Sequence, residues 1–157
     1  MIREAVIDDL DTLARLYKEL MTYHHGLDPI KFKLPNDKAC EKKMRQFIED
    51  NTAKYGMFKT IGHVTNDVVD GYAIYYSIFD KSTEIPNGAF MINHLFVTET
   101  ARRKGIGTEL MRGLLKLAKD NNCEALSIDV HVNNDIARQF YEKLGLIPKS
   151  INMEMRF

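Results

Sequence analysis

AFMINHLFVTETARRKGIGTELMRGLLKLAKD runs from Ala89 to Asp120 and divides into three parts of different character. Its opening, Ala89–Val97, is apolar on both alternating faces, which predicts a strand covered on both sides. Its end repeats Ile106, Leu110, Leu114, Leu117 and Ala118 at helical spacing, which predicts an amphipathic helix. Between them lie Arg102, Arg103, Lys104, Gly105 and Gly107. The first N–H groups of a helix have no internal partner and sit at the positive end of its dipole, and glycine lets an anion approach them closely. The stretch therefore has the parts of a phosphate site, although a charged turn before a helix can have the same composition. Two other phosphate motifs do not fit. A Walker loop ends in Gly-Lys-Ser/Thr, whereas Thr108-Glu109 follow Gly107, and the dinucleotide fingerprint needs a third glycine where Leu110 stands.

Upstream, Ile2–Val6 reads as a short strand. Asp8 or Asp9 caps a helix whose apolar positions Leu10, Leu13, Leu16, Tyr17 and Leu20 share a face, and which should end by Gly26. YHHGLDPIKFKLPND reads as an ordered loop leading to Asn36 or Asp37, the cap of a second helix over about Lys38–Glu49 with Met44, Phe47 and Ile48 inward. MFKTIGHV, from Met57, and VVDGYAIYYSIF form a hairpin turning at Asn66-Asp67. Downstream, EALSIDVHV alternates as a strand, NDIARQFYEKLG is a helix closed by Gly145, and SINMEMRF alternates as a final strand. Helix connections favour parallel pairing and the hairpin antiparallel pairing, so the fold class is α/β (α+β) with a mixed sheet. A chain of 157 residues without linkers or repeats fits one domain, residues 1–157.

Composition narrows the function. Lys and Arg (22) balance Asp and Glu (22), so no global field favours nucleic acid or an anionic membrane. Cys40 and Cys123 stand alone, with neither a disulfide framework nor metal-ligand spacing. No stretch nears the roughly 20 apolar residues that span a bilayer, and no secretory leader is visible. A cytoplasmic protein without metal is expected.

From Ala89 to Pro148 the sequence resembles the Gcn5-related N-acetyltransferase (GNAT) family. The family signature Gln/Arg-x-x-Gly-x-Gly/Ala, set between a strand and a long helix, is matched by Arg102, Gly105 and Gly107. A second match follows in order, Asn134, Ala137, Phe140 and Tyr141 before EKLGL, and IREAVIDDLDTLARL is similar to the usual family start. The resemblance implies a strongly twisted sheet whose central strands splay apart, with helices on its flanks and acetyl-CoA in the cleft.

What it implies residue by residue is as follows. Backbone groups of Leu95, Phe96 and Val97 would pair with the pantetheine arm, and the N–H groups of Arg103, Lys104, Gly105, Ile106, Gly107 and Thr108, with Arg102 beside them, would hold the pyrophosphate. Asn134, with Ala137 and Phe140, would hold the cofactor arm, and Asn134 is also a natural helix cap. Tyr141 corresponds to the proton donor to the departing thiolate. Some members carry a glutamate base where Met91 or Asn93 stands here, and neither side chain accepts a proton at neutral pH. His94 is the neighbouring base candidate, with water relays to His131, Asp129 or a carbonyl as alternatives.

Acceptor-wall candidates are His24, Asp28, Phe32 and Asn93 from the elements around the cleft, with His25, Asp80 and Glu84 behind them. GYAIYYSIF is similar to diamine acetyltransferases. The implied activity is acetyl transfer from acetyl-CoA to a primary amine on a small molecule of polyamine, aminoglycoside or amino-acid-like type, or on a protein. A CoA-binding sensor or partner-binding module is the alternative, and a homodimer is a state common in the family.

Overall fold

The sheet begins from a turn. Asn66 and Asp67 both adopt left-handed backbone, φ 48° and 62°, as a two-residue turn matched to strand twist requires. They join β2 (Lys59–Thr65) to β3 (Val68–Ile78) as an antiparallel hairpin. β1 (Ile2–Glu4) adds antiparallel to β2 and β4 (Ala89–Val97) antiparallel to β3, while β5 (Ala125–Ile128) joins β4 in parallel. The mixed sheet runs in the order β1-β2-β3-β4-β5. This computed structural model describes residues 1–49, 58–78 and 88–157; Met57, Phe79, Asp80 and Glu84 lie outside the described residues.

Helices α1 (Leu10–Leu27) and α2 (Asp37–Glu49) cover one face of the sheet, where Leu13, Leu16, Met44 and Phe47 pack on Val69, Tyr72, Ile74 and Phe96. Helix α3 (Ile106–Asp120) and Tyr141 of α4 (Asp135–Lys143) cover the other, with Ile106, Leu110 and Leu114 against Ala73, Phe90 and Ile92. Asp9 fastens the entry to α1. Its carboxylate takes two N–H bonds from Arg3, at 2.7 and 2.8 Å, and one from the Val6 backbone, and the Arg3 contact holds its pKa below the ordinary carboxylate value. Asn36 caps α2 by accepting the Ala39 N–H, and left-handed Gly145 (φ 91°) closes α4.

Three expectations need correction. Helix α1 runs one residue past Gly26, to Leu27, so Tyr23, His24 and His25 belong to its last turns rather than to a loop. Strand β5 is four residues, not nine, because its ladder to β4 stops at Ile92↔Ile128. SINMEMRF forms no strand: Ile151, Met153, Met155 and Phe157 are all exposed, and alternation without a neighbouring edge supplies no ladder bonds.

A bulge in β4 positions the site. Ile74 pairs with His94 but Tyr75 pairs with Ile92, so Asn93 is the extra residue. Phe90 and Ile92 before it and Leu95 and Val97 after it all face α3, whereas His94 and Phe96 turn toward α1 and α2. Uninterrupted alternation would have put His94 beside Ile92.

Candidate active site

Among the described residues, the edge of β4 facing β5 has no partner strand beyond Ile92. The Thr98 N–H bonds to the Asp70 carbonyl at 3.0 Å, which fixes the antiparallel alternation: His94 and Phe96 spend their backbone groups on β3, and Leu95 and Val97 turn theirs to the open edge. Of the three residues expected to offer backbone to a ligand, Phe96 is therefore excluded. Its ring instead lies 5.6 Å beneath the Arg102 guanidinium, whose Nε donates to the Val97 carbonyl at 3.0 Å. Arg102 is thus tied to the end of β4, and its remaining N–H groups and charge stay at the mouth of the gap.

The loop that follows opens onto solvent. Among the described residues, no intramolecular bond is accepted from the N–H groups of Arg103 to Thr108, and the first helical bond runs from Glu109 to the Gly105 carbonyl. Arg103 (φ 63°) and Gly105 (φ 86°) are both left-handed, and such a backbone gathers successive N–H groups into an anion-binding concavity. A Cβ at Gly105 would meet nothing within 4 Å, so this glycine answers to φ alone. At Gly107 a Cβ would lie 3.2 Å from Phe140 Cζ, so that glycine lets α4 approach α3. Ile106 is buried core and offers only its N–H.

Helix α4 starts at Asn134, whose Oδ1 accepts from the Ala137 N–H at 3.1 Å and from the Tyr23 hydroxyl at 2.9 Å. Its cap function is real, and both bonds fall on Oδ1, leaving the amide nitrogen to donate. Tyr141 is buried, 5.1 Å from the Phe140 ring, and desolvation pushes its phenol well above the ordinary tyrosine value. It lies on the α3 face of the sheet, whereas His94 lies on the α1 face.

His94 stacks on Tyr17 at 5.4 Å and takes the edges of Phe47 at 5.6 Å and Tyr72 at 6.3 Å. Its Nδ1 is buried and has no partner among the described residues, as is also true of the Tyr72 hydroxyl; each such orphan costs about 1–3 kcal/mol. Burial first, then the charges of His24 and Lys43, lowers the His94 pKa to about 4. The imidazole is therefore neutral across the physiological range, while the unfolded chain takes up its proton below about 6.5. Stability from this group is full above that pH and is lost as pH falls toward 4, by at most about 3 kcal/mol. The urea midpoint should fall between pH 7 and pH 4.5, and by less in His94→Phe; equal falls in both would remove His94 as the cause.

The end of α1 meets the segment after β5. Asp28 Oδ1 accepts from the N–H groups of Ile30 and Lys31, the turn its sequence suggests, while Oδ2 lies 3.4 Å from His131 Nε2 and 3.6 Å from Arg156. Backbone donors chiefly hold the Asp28 pKa below the ordinary value. Phe32 packs on His24 at 4.8 Å and on His131 at 5.5 Å, and the Asn133 side chain donates to the Leu27 carbonyl. His24, Asp28 and Phe32 are thus brought together, with His131, beside Asn134. Asn93 stands apart as the exposed bulge residue, and Asp129 is exposed.

The sequence model of the Acetyltransferase (GNAT) family matches residues 13–146. The chain belongs to the GNAT acetyltransferase family. It is 28% identical over 145 residues to thialysine N-epsilon-acetyltransferase of Bos taurus, covering 92% of this chain and 82% of that one. Among solved structures, a single-site mutant of the BH1408 protein from Bacillus halodurans superposes with TM-score 0.87 at 21% identity, over 100% of this chain and 99% of that one. The aminoglycoside N-acetyltransferase AAC(6')-Iy, solved with CoA, gives 0.75 at 16% over 100% and 93%.

Acetyl-CoA, the family's acyl donor, suits this GNAT site on two observations: the unpartnered N–H run from Arg103 to Thr108, and the open β4 edge at Leu95 and Val97. Residues that sequence reasoning left out of the site are Tyr17, Tyr23 and Phe47. Tyr17 and Phe47 sit at core-facing positions of amphipathic helices, where an aromatic reads as packing. Tyr23 carries no local signal, because its bond spans 111 positions to Asn134. Among the described residues no helix is long and apolar enough to cross a membrane.

Proposed function

We propose that the protein transfers the acetyl group of acetyl-CoA to a primary amine, with Tyr141 as general acid. The observation that carries this reading is the opening between β4 and β5 beyond Ile92, flanked by the N–H groups of residues 103–108 at one end and by Tyr141 and His94 on its two faces. Leu95 and Val97 align the pantetheine arm through backbone groups, Asn134 and Ala137 stand beside it, and Gly105, Gly107 and Thr108 present N–H groups to the pyrophosphate. Arg102, Arg103 and Lys104 add positive charge around it.

Attack requires an uncharged amine, and the leaving thiolate requires a proton. Tyr141, held neutral by burial, supplies that proton. His94, neutral at physiological pH, accepts a hydrogen bond from the amine, and the proton that the amine loses passes to water. His24, Asp28 and Phe32 form the outer acceptor wall, with Asn93 at the lip. The acceptor is a small-molecule or protein amine, as for the thialysine and aminoglycoside acetyltransferases among its relatives and structural neighbours.

Calorimetry should show CoA binding in the micromolar range, and thiol release from acetyl-CoA should depend on an added amine. Folded protein that binds neither CoA nor acetyl-CoA would overturn the proposal. Binding without amine-dependent release across a broad panel would leave a CoA-binding sensor, the reading favoured by the missing carboxylates at Met91 and Asn93.

A further inference from the structure

Helix α1 ends where helix α4 begins. Three contacts join its last turns to the segment leading into α4: the Tyr23 hydroxyl donates to Asn134 Oδ1 at 2.9 Å, the Asn133 side chain donates to the Leu27 carbonyl at 3.1 Å, and His131 Nε2 lies 3.4 Å from Asp28 Oδ2. Of the three, only the Tyr23 bond ends on a residue of the cofactor wall. Tyr23 is itself half-buried and stands 111 positions from its partner.

That bond is more than helix capping requires. A cap needs one acceptor for an N–H of the first turn, and Asn134 Oδ1 already meets this by taking the Ala137 N–H at 3.1 Å. Because a backbone N–H can be accepted only by the amide oxygen, the Ala137 bond also fixes which end of the side chain is which. The Tyr23 hydroxyl reaches the same oxygen and must donate to it. Two donors fill both lone pairs of Oδ1, and turning the amide over would set its NH2 against each of them. The side chain is therefore held in one orientation. Asn134 is 7% exposed. Its Nδ2 makes no bond among the described residues, yet it is not shut away from solvent as the Tyr72 hydroxyl is. The result is an aimed donor, accessible to a ligand and fixed by the groups behind it.

Resting on the acetyl-transfer reading for the place of CoA, we infer that Tyr23 is a positioning residue for the cofactor: by donating to Asn134 Oδ1 it aims Nδ2 at an amide carbonyl of the pantetheine arm. Tyr23 touches no reacting atom. Without its hydroxyl, one donor remains on Oδ1, the amide gains freedom to turn, and the bond to the arm must then be made at the expense of that freedom.

Calorimetry of CoA on the parent protein, Tyr23→Phe, Asn134→Ser and the double variant tests this. Serine keeps the cap, since its hydroxyl accepts the Ala137 N–H, and removes the amide donor. Tyr23→Phe should weaken CoA binding about fivefold, the scale of one hydrogen bond, and should have no further effect in the Asn134→Ser background. Asn133→Ala, which breaks a neighbouring contact of the same clasp, should lower the urea midpoint as Tyr23→Phe does yet leave CoA affinity unchanged. Unchanged affinity in Tyr23→Phe, additive losses in the double variant, or an equal loss in Asn133→Ala would each overturn the inference while leaving the acetyl-transfer reading standing. Should Asn134→Ser not fold, the contrast between Tyr23→Phe and Asn133→Ala decides alone. Folded parent protein that binds no CoA would end both readings.

Discussion

Gly107→Val should lose CoA affinity by about 100-fold or more, whereas Lys104→Ala should lose no more than about fivefold. The first change acts on backbone approach and the second on one exposed charge, and a single surface charge is worth about 0–1 kcal/mol. The structure adds a second consequence. A Cβ at Gly107 would stand 3.2 Å from Phe140 Cζ, and 3.9 Å from Val97 Cγ2, so valine also overpacks the junction of α3 with α4, at about 1–3 kcal/mol. Thermal unfolding should then fall by several degrees. Packing and cradle can be separated in a Phe140→Leu background, where the ring that valine meets is gone. Stability should recover in Gly107→Val/Phe140→Leu while CoA affinity stays far below that of Phe140→Leu alone. If affinity recovers together with stability, Gly107 serves packing only.

The two glycines show what a sequence can and cannot express. Their spacing before a helix is enough to suggest an anion site, and left-handed Gly105 gives that suggestion a backbone reason. That Gly107 also seats Phe140 is invisible, because the two residues are 33 positions apart and meet only after β5 has been laid beside β4. The facing of His94 is hidden from the sequence for a different reason. Period-two counting along Ala89–Val97 is right for the strand as a whole, but the extra residue at Asn93 shifts every side chain after it. SINMEMRF is the converse case, a good strand pattern with no edge to join. The α1 end was legible in residue types, since His24, Asp28 and Phe32 do meet, but not in partners: His131 and Asn134 reach them from the far side of the chain.

Tyr141→Phe should lower kcat by about 100-fold or more, the usual range for removing a general acid, while CoA affinity changes by less than about threefold. The phenol is expected to touch only the leaving sulfur, so its loss acts on a charge that develops during reaction rather than on ground-state binding. Its environment fixes the pH dependence. Burial disfavours the phenolate and holds the Tyr141 pKa above the ordinary tyrosine value, so the protonated form dominates well past pH 10. Activity should therefore show no alkaline decline attributable to Tyr141 between pH 7 and about pH 10; a decline there that is present in the parent protein and absent in Tyr141→Phe would contradict a buried acid. Because Tyr141 packs in the α3-side core with Phe140, phenylalanine keeps the ring and removes only the hydroxyl. A parallel loss of CoA affinity and kcat would then mark Tyr141 as part of the packing that shapes the gap, with the proton reaching sulfur from water instead.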